Sequence, residues 1–150
     1  MVLAGVSLAA SAALSPSGQA AAQQGQGGRY VALSSARLLD TRVTTPERPA
    51  APLAGYQGID VQVAGKGGVP ATGALAAAVT VTVVPRDGLA GYGQVWPAGE
   101  ARPTPASNIN WGNGEWTSNA VVSKIGANGK VSFYTKGDGC DAHHIVGSSR

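Results

Sequence analysis

Two groups of residues in this 150-residue chain have types and spacings that could do chemistry. The first is Asp138-Gly139-Cys140-Asp141-Ala142-His143-His144, which holds the only cysteine and both histidines. Nucleophilic hydrolysis needs a nucleophile, a base and an orienting acid that converge in space. Here the base would have to be one of two adjacent histidines, and no Gly-x-Ser-x-Gly elbow accompanies them. Asp-x-x-Asp-x-His-His matches no established metal-ligand spacing, and calcium asks for more oxygens. Gly65-Lys66-Gly67-Gly68 runs into Val69-Pro70 with no Lys-Ser/Thr and no following helix, so it reads as a turn and not a phosphate loop. The sequence thus offers no catalytic residue, no metal site and no cofactor site.

The second group is aromatic. Tyr92, Trp96, Trp111 and Trp116 lie close in sequence to Asn108, Asn110 and Arg102. Carbohydrate-binding sandwiches stack pyranose faces on exposed Trp or Tyr and add hydrogen bonds from such polar side chains. The plainer reading of Trp96 and Trp111 is core, because the chain is short of large apolar side chains. Arg37, Asp40 and Arg42 form a separate polar set, with Asp40 and Arg42 alternating onto one strand face. Their expected role is structural: an ion pair, or a hydrogen bond to loop backbone, that pins the Pro-rich segment 44–58.

Composition narrows the partners. Charged residues make up 13%, about half the usual share, which excludes a solvated helix or coiled coil. The net charge of +3 comes from scattered single residues, so no basic cluster is available to neutralise a row of phosphates, which argues against nucleic acid as a partner. Residues 1–22 read as a secretory signal peptide: an apolar run, a breaker at Ser15-Pro16-Ser17-Gly18, then Ala20-Ala21-Ala22. The run is too short to span a bilayer, so no membrane span is expected after cleavage. Residues 23–28 (QQGQGG) read as a flexible linker, and residues 29–150 as one folded module. With one cysteine, Cys140, an internal disulfide is impossible, so packing and β-ladders must hold the fold.

The elements that position these residues are strands. Period-two segments occur at 30–33, 37–41, 59–63, 77–84, 93–96, 108–111, 116–125, 130–135 and 142–146. The clearest is Val79-Thr80-Val81-Thr82-Val83, whose valines should face a core and threonines the other side. Asn113-Gly114 and Asn128-Gly129 are preferred hairpin pairs, and Gly137-Asp138-Gly139 offers a third reversal. The last third therefore reads as a four-stranded antiparallel meander, with Trp111 directly opposite Trp116 across the Asn113-Gly114 turn. Ile109 would share their face, and Asn108 and Asn110 would share the other with Thr117 and Asn119. The fold class is all-β: an antiparallel β-sandwich, with an open or partly closed β-barrel as the alternative.

Several segments carry a resemblance. They are Arg37-Leu38-Leu39-Asp40-Thr41-Arg42, Val63-Ala64-Gly65-Lys66-Gly67-Gly68-Val69-Pro70, Gly91-Tyr92, Val95-Trp96-Pro97-Ala98-Gly99, Arg102-Pro103 and Ser107-Asn108-Ile109-Asn110. Asn119, Ile125-Gly126, Gly129-Lys130-Val131 and Tyr134 complete the series. In order and spacing, from about Leu33 to His144, the chain resembles the repeat module of secreted actinobacterial proteins, often appended to hydrolases, peptidases and adhesin-like chains. The resemblance implies an extracellular β-sandwich accessory module without catalytic chemistry. Two departures stand out. The module's usual last strand ends in an Asp and aromatics, whereas here Ala142–Val146 runs into Gly147-Ser148-Ser149-Arg150, as in a truncated copy. Trp116 also replaces a small polar residue, which implies that it is more exposed than Trp111.

The reading is a secreted, non-catalytic module for attachment or display at the cell envelope, with cell-wall or extracellular polysaccharide as partner. The alternative is a ligandless spacer, or an adhesin-type module that contacts other surface proteins.

Overall fold

In the computed structural model, residues 28–85, 89–112, 114–137 and 144–149 are described. The expected signal peptide, most of the linker, Asn113 and the segment 138–143 lie outside them. Eight strands form: β1 (Ala36–Asp40), β2 (Gly58–Gln62), β3 (Ala76–Val84), β4 (Gly91–Pro97), β5 (Ile109–Trp111), β6 (Thr117–Lys124), β7 (Lys130–Gly137) and β8 (His144–Ser149). They make two four-stranded sheets, a first ordered β1-β8-β3-β6 and a second ordered β2-β7-β4-β5. Every pairing is antiparallel, and the sheets form a sandwich and not a barrel.

Strict alternation in β3 sends Ala77, Val79, Val81 and Val83 inward and leaves the threonines half-buried on the far side. Facing them from the second sheet are Val95, Ile109, Trp111, Val131 and Phe133, and Leu53 from the loop between β1 and β2 joins the same cluster. A pocket of about 30 Å³ lies between the layers, lined by apolar side chains including Leu38, Val81, Val95 and Phe133. Such a void holds no polar partner for water.

The expected meander does not form. β5 belongs to the second sheet, β6 to the first, β7 to the second and β8 to the first. Trp111 therefore pairs with Gly91, not Trp116, and Thr117 and Asn119 pair with Val83 and Val81 of β3. Asn-Gly supplies the positive φ a sharp reversal needs, with Asn128 at 56° and Gly129 at 72°. Reversal alone does not decide whether the flanking strands hydrogen-bond. Here the turn docks on the end of β4: a Cβ on Gly126 would lie 2.2 Å from the Ala98 backbone. That close approach carries the chain across the sandwich. Among the described residues, β4 and β5 are the only consecutive strands that pair with each other.

Three smaller differences follow. Residues 30–33 are not a strand, although Leu33 packs against the core. The segment 44–58 runs from edge strand β1 to edge strand β2, and it also buries Leu53. The last strand is not cut short at Val146: β8 continues to Ser149 and sits in the middle of the first sheet, between β1 and β3.

Candidate functional site: the outer face of the second sheet

Glycines define which way β4 faces. A Cβ on Gly91 would meet the Trp111 indole at 2.4 Å, and one on Gly93 would meet Ile109 and Phe133 at 2.9 Å. Those positions point inward, so alternation puts Tyr92, Gln94 and Trp96 on the outer face. Directly opposed residues of antiparallel strands share a face. Lys136 lies opposite Tyr92, Tyr134 opposite Gln94, and Ser132 opposite Trp96. Asn110 lies opposite Tyr92 on the other side, and Gly58 and Asp60 oppose Tyr134 and Ser132.

The outer face thus has transverse rows. The first runs Tyr56, Lys136, Tyr92, Asn110. Tyr56 precedes β2 and joins the row by donating its backbone N–H to the Thr135 carbonyl at 2.9 Å. Its φ is 66°, a left-handed conformation that bulky residues seldom adopt. The Lys136 Nζ sits 5.8 Å from the Tyr56 ring centroid and 5.9 Å from that of Tyr92, within cation–π range of both. Tyr92 is half-buried, and Tyr56 and Asn110 are exposed.

The second row, Gly58, Tyr134, Gln94, is partly roofed by the β4–β5 loop. Gln94 is only 1% exposed although it is on the outer face. Its amide nitrogen donates to the Pro103 carbonyl at 2.7 Å and to the Ala106 carbonyl, and its oxygen accepts from Arg102 Nη1 at 3.0 Å. Every polar atom of that side chain is satisfied, which ties the loop down. The tether sets the Arg102 guanidinium 4.1 Å from the centre of the Tyr134 ring. In the third row, the half-buried Trp96 donates its indole N–H to the Glu100 carbonyl at 3.1 Å, and Ser132 donates to Asp60 at 2.7 Å.

Of the sequence-predicted site residues, Tyr92, Trp96, Asn110 and Arg102 come together on this face. Trp96 is not in the core as its size suggested, because its place in β4 has outward parity. Trp111 lies on the inner face, 4% exposed. Trp116 is 69% exposed but stands before β6 of the first sheet, away from these rows. Asn108 is turned to a backbone task, its Oδ1 accepting the Val95 N–H at 2.6 Å. Tyr56, Gln94, Tyr134 and Lys136 are additional members. Period-two alternation in β7 (Ser132, Tyr134 and Lys136 against Val131, Phe133 and Thr135) carries the signal for two of them. Gln94 follows from the same parity as Tyr92, and nothing in the sequence marks Tyr56.

Arg37, Asp40 and Arg42 also come together, on β1 and the turn after it. The buried Asp40 carboxylate accepts from Arg42 Nε at 2.9 Å, Arg42 Nη2 at 2.8 Å, the Arg42 backbone N–H at 3.0 Å and Arg37 Nη1 at 3.0 Å. The Arg42 side-chain hydrogen bonds outweigh desolvation and hold the Asp40 pKa at about 2, while Asp40 raises that of Arg42. Among the described residues no group of three His, Cys, Asp or Glu could hold a metal ion, and no helix is long and apolar enough to cross a membrane. The residues 138, 140, 141 and 143 of the polar cluster lie outside the described part. Comparison of the chain with protein-family models, curated proteins and solved structures finds no match.

Proposed function

We propose that the chain is a secreted, non-catalytic β-sandwich module that attaches to or displays at the cell envelope by binding glycan on the outer face of its second sheet. The single observation behind this reading is the convergence of three aromatic rings, Tyr92, Trp96 and Tyr134, with Arg102, Lys136 and Asn110 on that face. Rings offer flat apolar area for the C–H face of a pyranose, and the flanking amide and cationic groups donate to its hydroxyls. Gln94 fixes the covering loop beforehand, which lowers the ordering cost of binding. The accessory-module resemblance points to the same class of role.

Titration of the protein with soluble cell-wall polysaccharides, read by tryptophan fluorescence, tests the proposal, because Trp96 reports from the face itself. A saturable shift is expected. Tyr92→Ala should weaken it by at least roughly tenfold, the loss of one stacking platform. No shift with any polysaccharide would leave the spacer or protein-contact reading in its place.

A further inference from the structure

Among the described residues, the cations of the outer face form no ion pair. The ion pairs of the described residues are Arg37–Asp40 and Arg42–Asp40, both on the first sheet's edge. Lys136 and Arg102 have aromatic rings as partners: Tyr56 and Tyr92 for the ammonium, Tyr134 for the guanidinium. Lys130, opposite Gln62 in the same β7, likewise has no carboxylate partner among the described residues. The one acid in these rows, Asp60, is at the far side of Tyr134 from Lys136 and accepts from Ser132. A neutral pyranose needs stacking and hydroxyl partners, but no cation. A cation set against a ring keeps its charge while part of its hydration is replaced, so it is prepared for an anion arriving beside the ring.

Spacing and strain add to this. Tyr134 and Lys136 are two residues apart on one strand, so their backbones are about 7 Å apart along it and the two cations belong to neighbouring rows. Tyr56 holds its left-handed backbone to complete the clamp around Lys136, and strain of this kind concentrates at ligand clamps.

We infer that the ligand is an acidic glycan, a polymer with carboxylates on its pyranose rings, and that Lys136, clamped between Tyr56 and Tyr92, with Arg102 on Tyr134, selects it over the neutral polymer. The inference rests on the glycan-platform reading above and adds the charge of the substrate.

The experiment compares polygalacturonate and alginate with the same polymers after their carboxylates have been reduced to hydroxymethyl groups, by calorimetry with the intact protein. The acidic forms should bind roughly tenfold tighter or more, a charge-assisted hydrogen bond's worth. That advantage should shrink toward parity in about 0.5 M salt. Lys136→Gln should weaken binding of the acidic polymer far more than that of the reduced one, so that the ratio of the two affinities falls toward one, with the variant's melting temperature checked alongside. Equal affinity for both forms, or an acid preference that survives both salt and Lys136→Gln, overturns the acidic assignment while the glycan reading stands. Failure of all four polymers to bind takes the glycan reading down with it.

Discussion

The two sheets share an interior and differ outside. Inward, both present apolar side chains: Ala77, Val79, Val81, Val83 and Val121 from the first, and Val95, Ile109, Trp111, Val131 and Phe133 from the second. Outward, the first sheet presents Ala78, Thr80 and Thr82 on β3 beside Ser118, Ala120 and Val122 on β6, small groups with no aromatic ring and with Lys124 at one end. The second presents Tyr92, Trp96, Tyr134, Lys136 and a tethered arginine. Packing needs explain the common interior; nothing about packing requires the outer contrast. On the second face large half-buried rings are lined up row by row and interleaved with cations that rest on those rings and not on carboxylates among the described residues. The first face, by contrast, is what a sheet looks like when its exterior only has to be wet.

The largest test of that contrast lies inside. Trp111→Ala should cost about 3–5 kcal/mol in chemical denaturation, whereas Trp116→Ala should change stability by less than about 0.5 kcal/mol. Similar losses at both would mean that Trp116 is packed and the first sheet's end is not free. Next is Gln94→Ala, which strips the partners from the Pro103 and Ala106 carbonyls and from Arg102. A loss of about 1–3 kcal/mol is expected, with new protease cleavage within residues 98–108. An intact loop would show that the second face does not depend on this tether.

The Asp40 cluster, at the rim of the first sheet, ranks third. Its folded pKa of about 2 lies below the unfolded value near 3.9. Its contribution is therefore present above pH 4 and is lost as pH falls through about 2. Because both arginines are largely solvated, Asp40→Asn should cost only about 1 kcal/mol at neutral pH and flatten the stability profile between pH 4 and 2. A variant whose acid unfolding still follows the wild type would remove this cluster from the account. The smallest effect is on the first outer face itself. Thr82→Val breaks the 2.7 Å contact with Ser118 yet should shift stability by under about 0.5 kcal/mol, measured by thermal melting.

How much of this was legible in the residues depended on range. Val79-Thr80-Val81-Thr82-Val83 declared its strand and its inward face because side-chain parity is local. The same rule puts Tyr92 and Trp96 on one side of β4 and Tyr134 and Lys136 on one side of β7, but that the two sides coincide is decided by the register between those strands. What it could not supply was pairing. Asn128-Gly129 makes its reversal as its residue types require, but the Gly126–Ala98 approach, nearly thirty positions apart, decides which layer receives the next strand. The Trp111–Trp116 pair failed for the same reason, since it assumed that a turn joins hydrogen-bonded neighbours. Arg102 was found as a polar residue near aromatics, but its seat on Tyr134 depends on Gln94, a residue whose burial no local pattern announces. Tyr56 belongs to no strand and owes its position to a backbone bond with Thr135.

The alternation of layers along the chain has a kinetic side. β8 inserts between β1 and β3, so the centre of one sheet is vacant until residues 144–149 are available. The second sheet and the β3–β6 ladder need nothing beyond Gly137, but β1 has no strand neighbour until β8 arrives, so the first sheet must wait for distant ends to meet. A chain wired in this way should fold slowly, on the millisecond-to-second scale of non-local β-topologies, with the first sheet closing last.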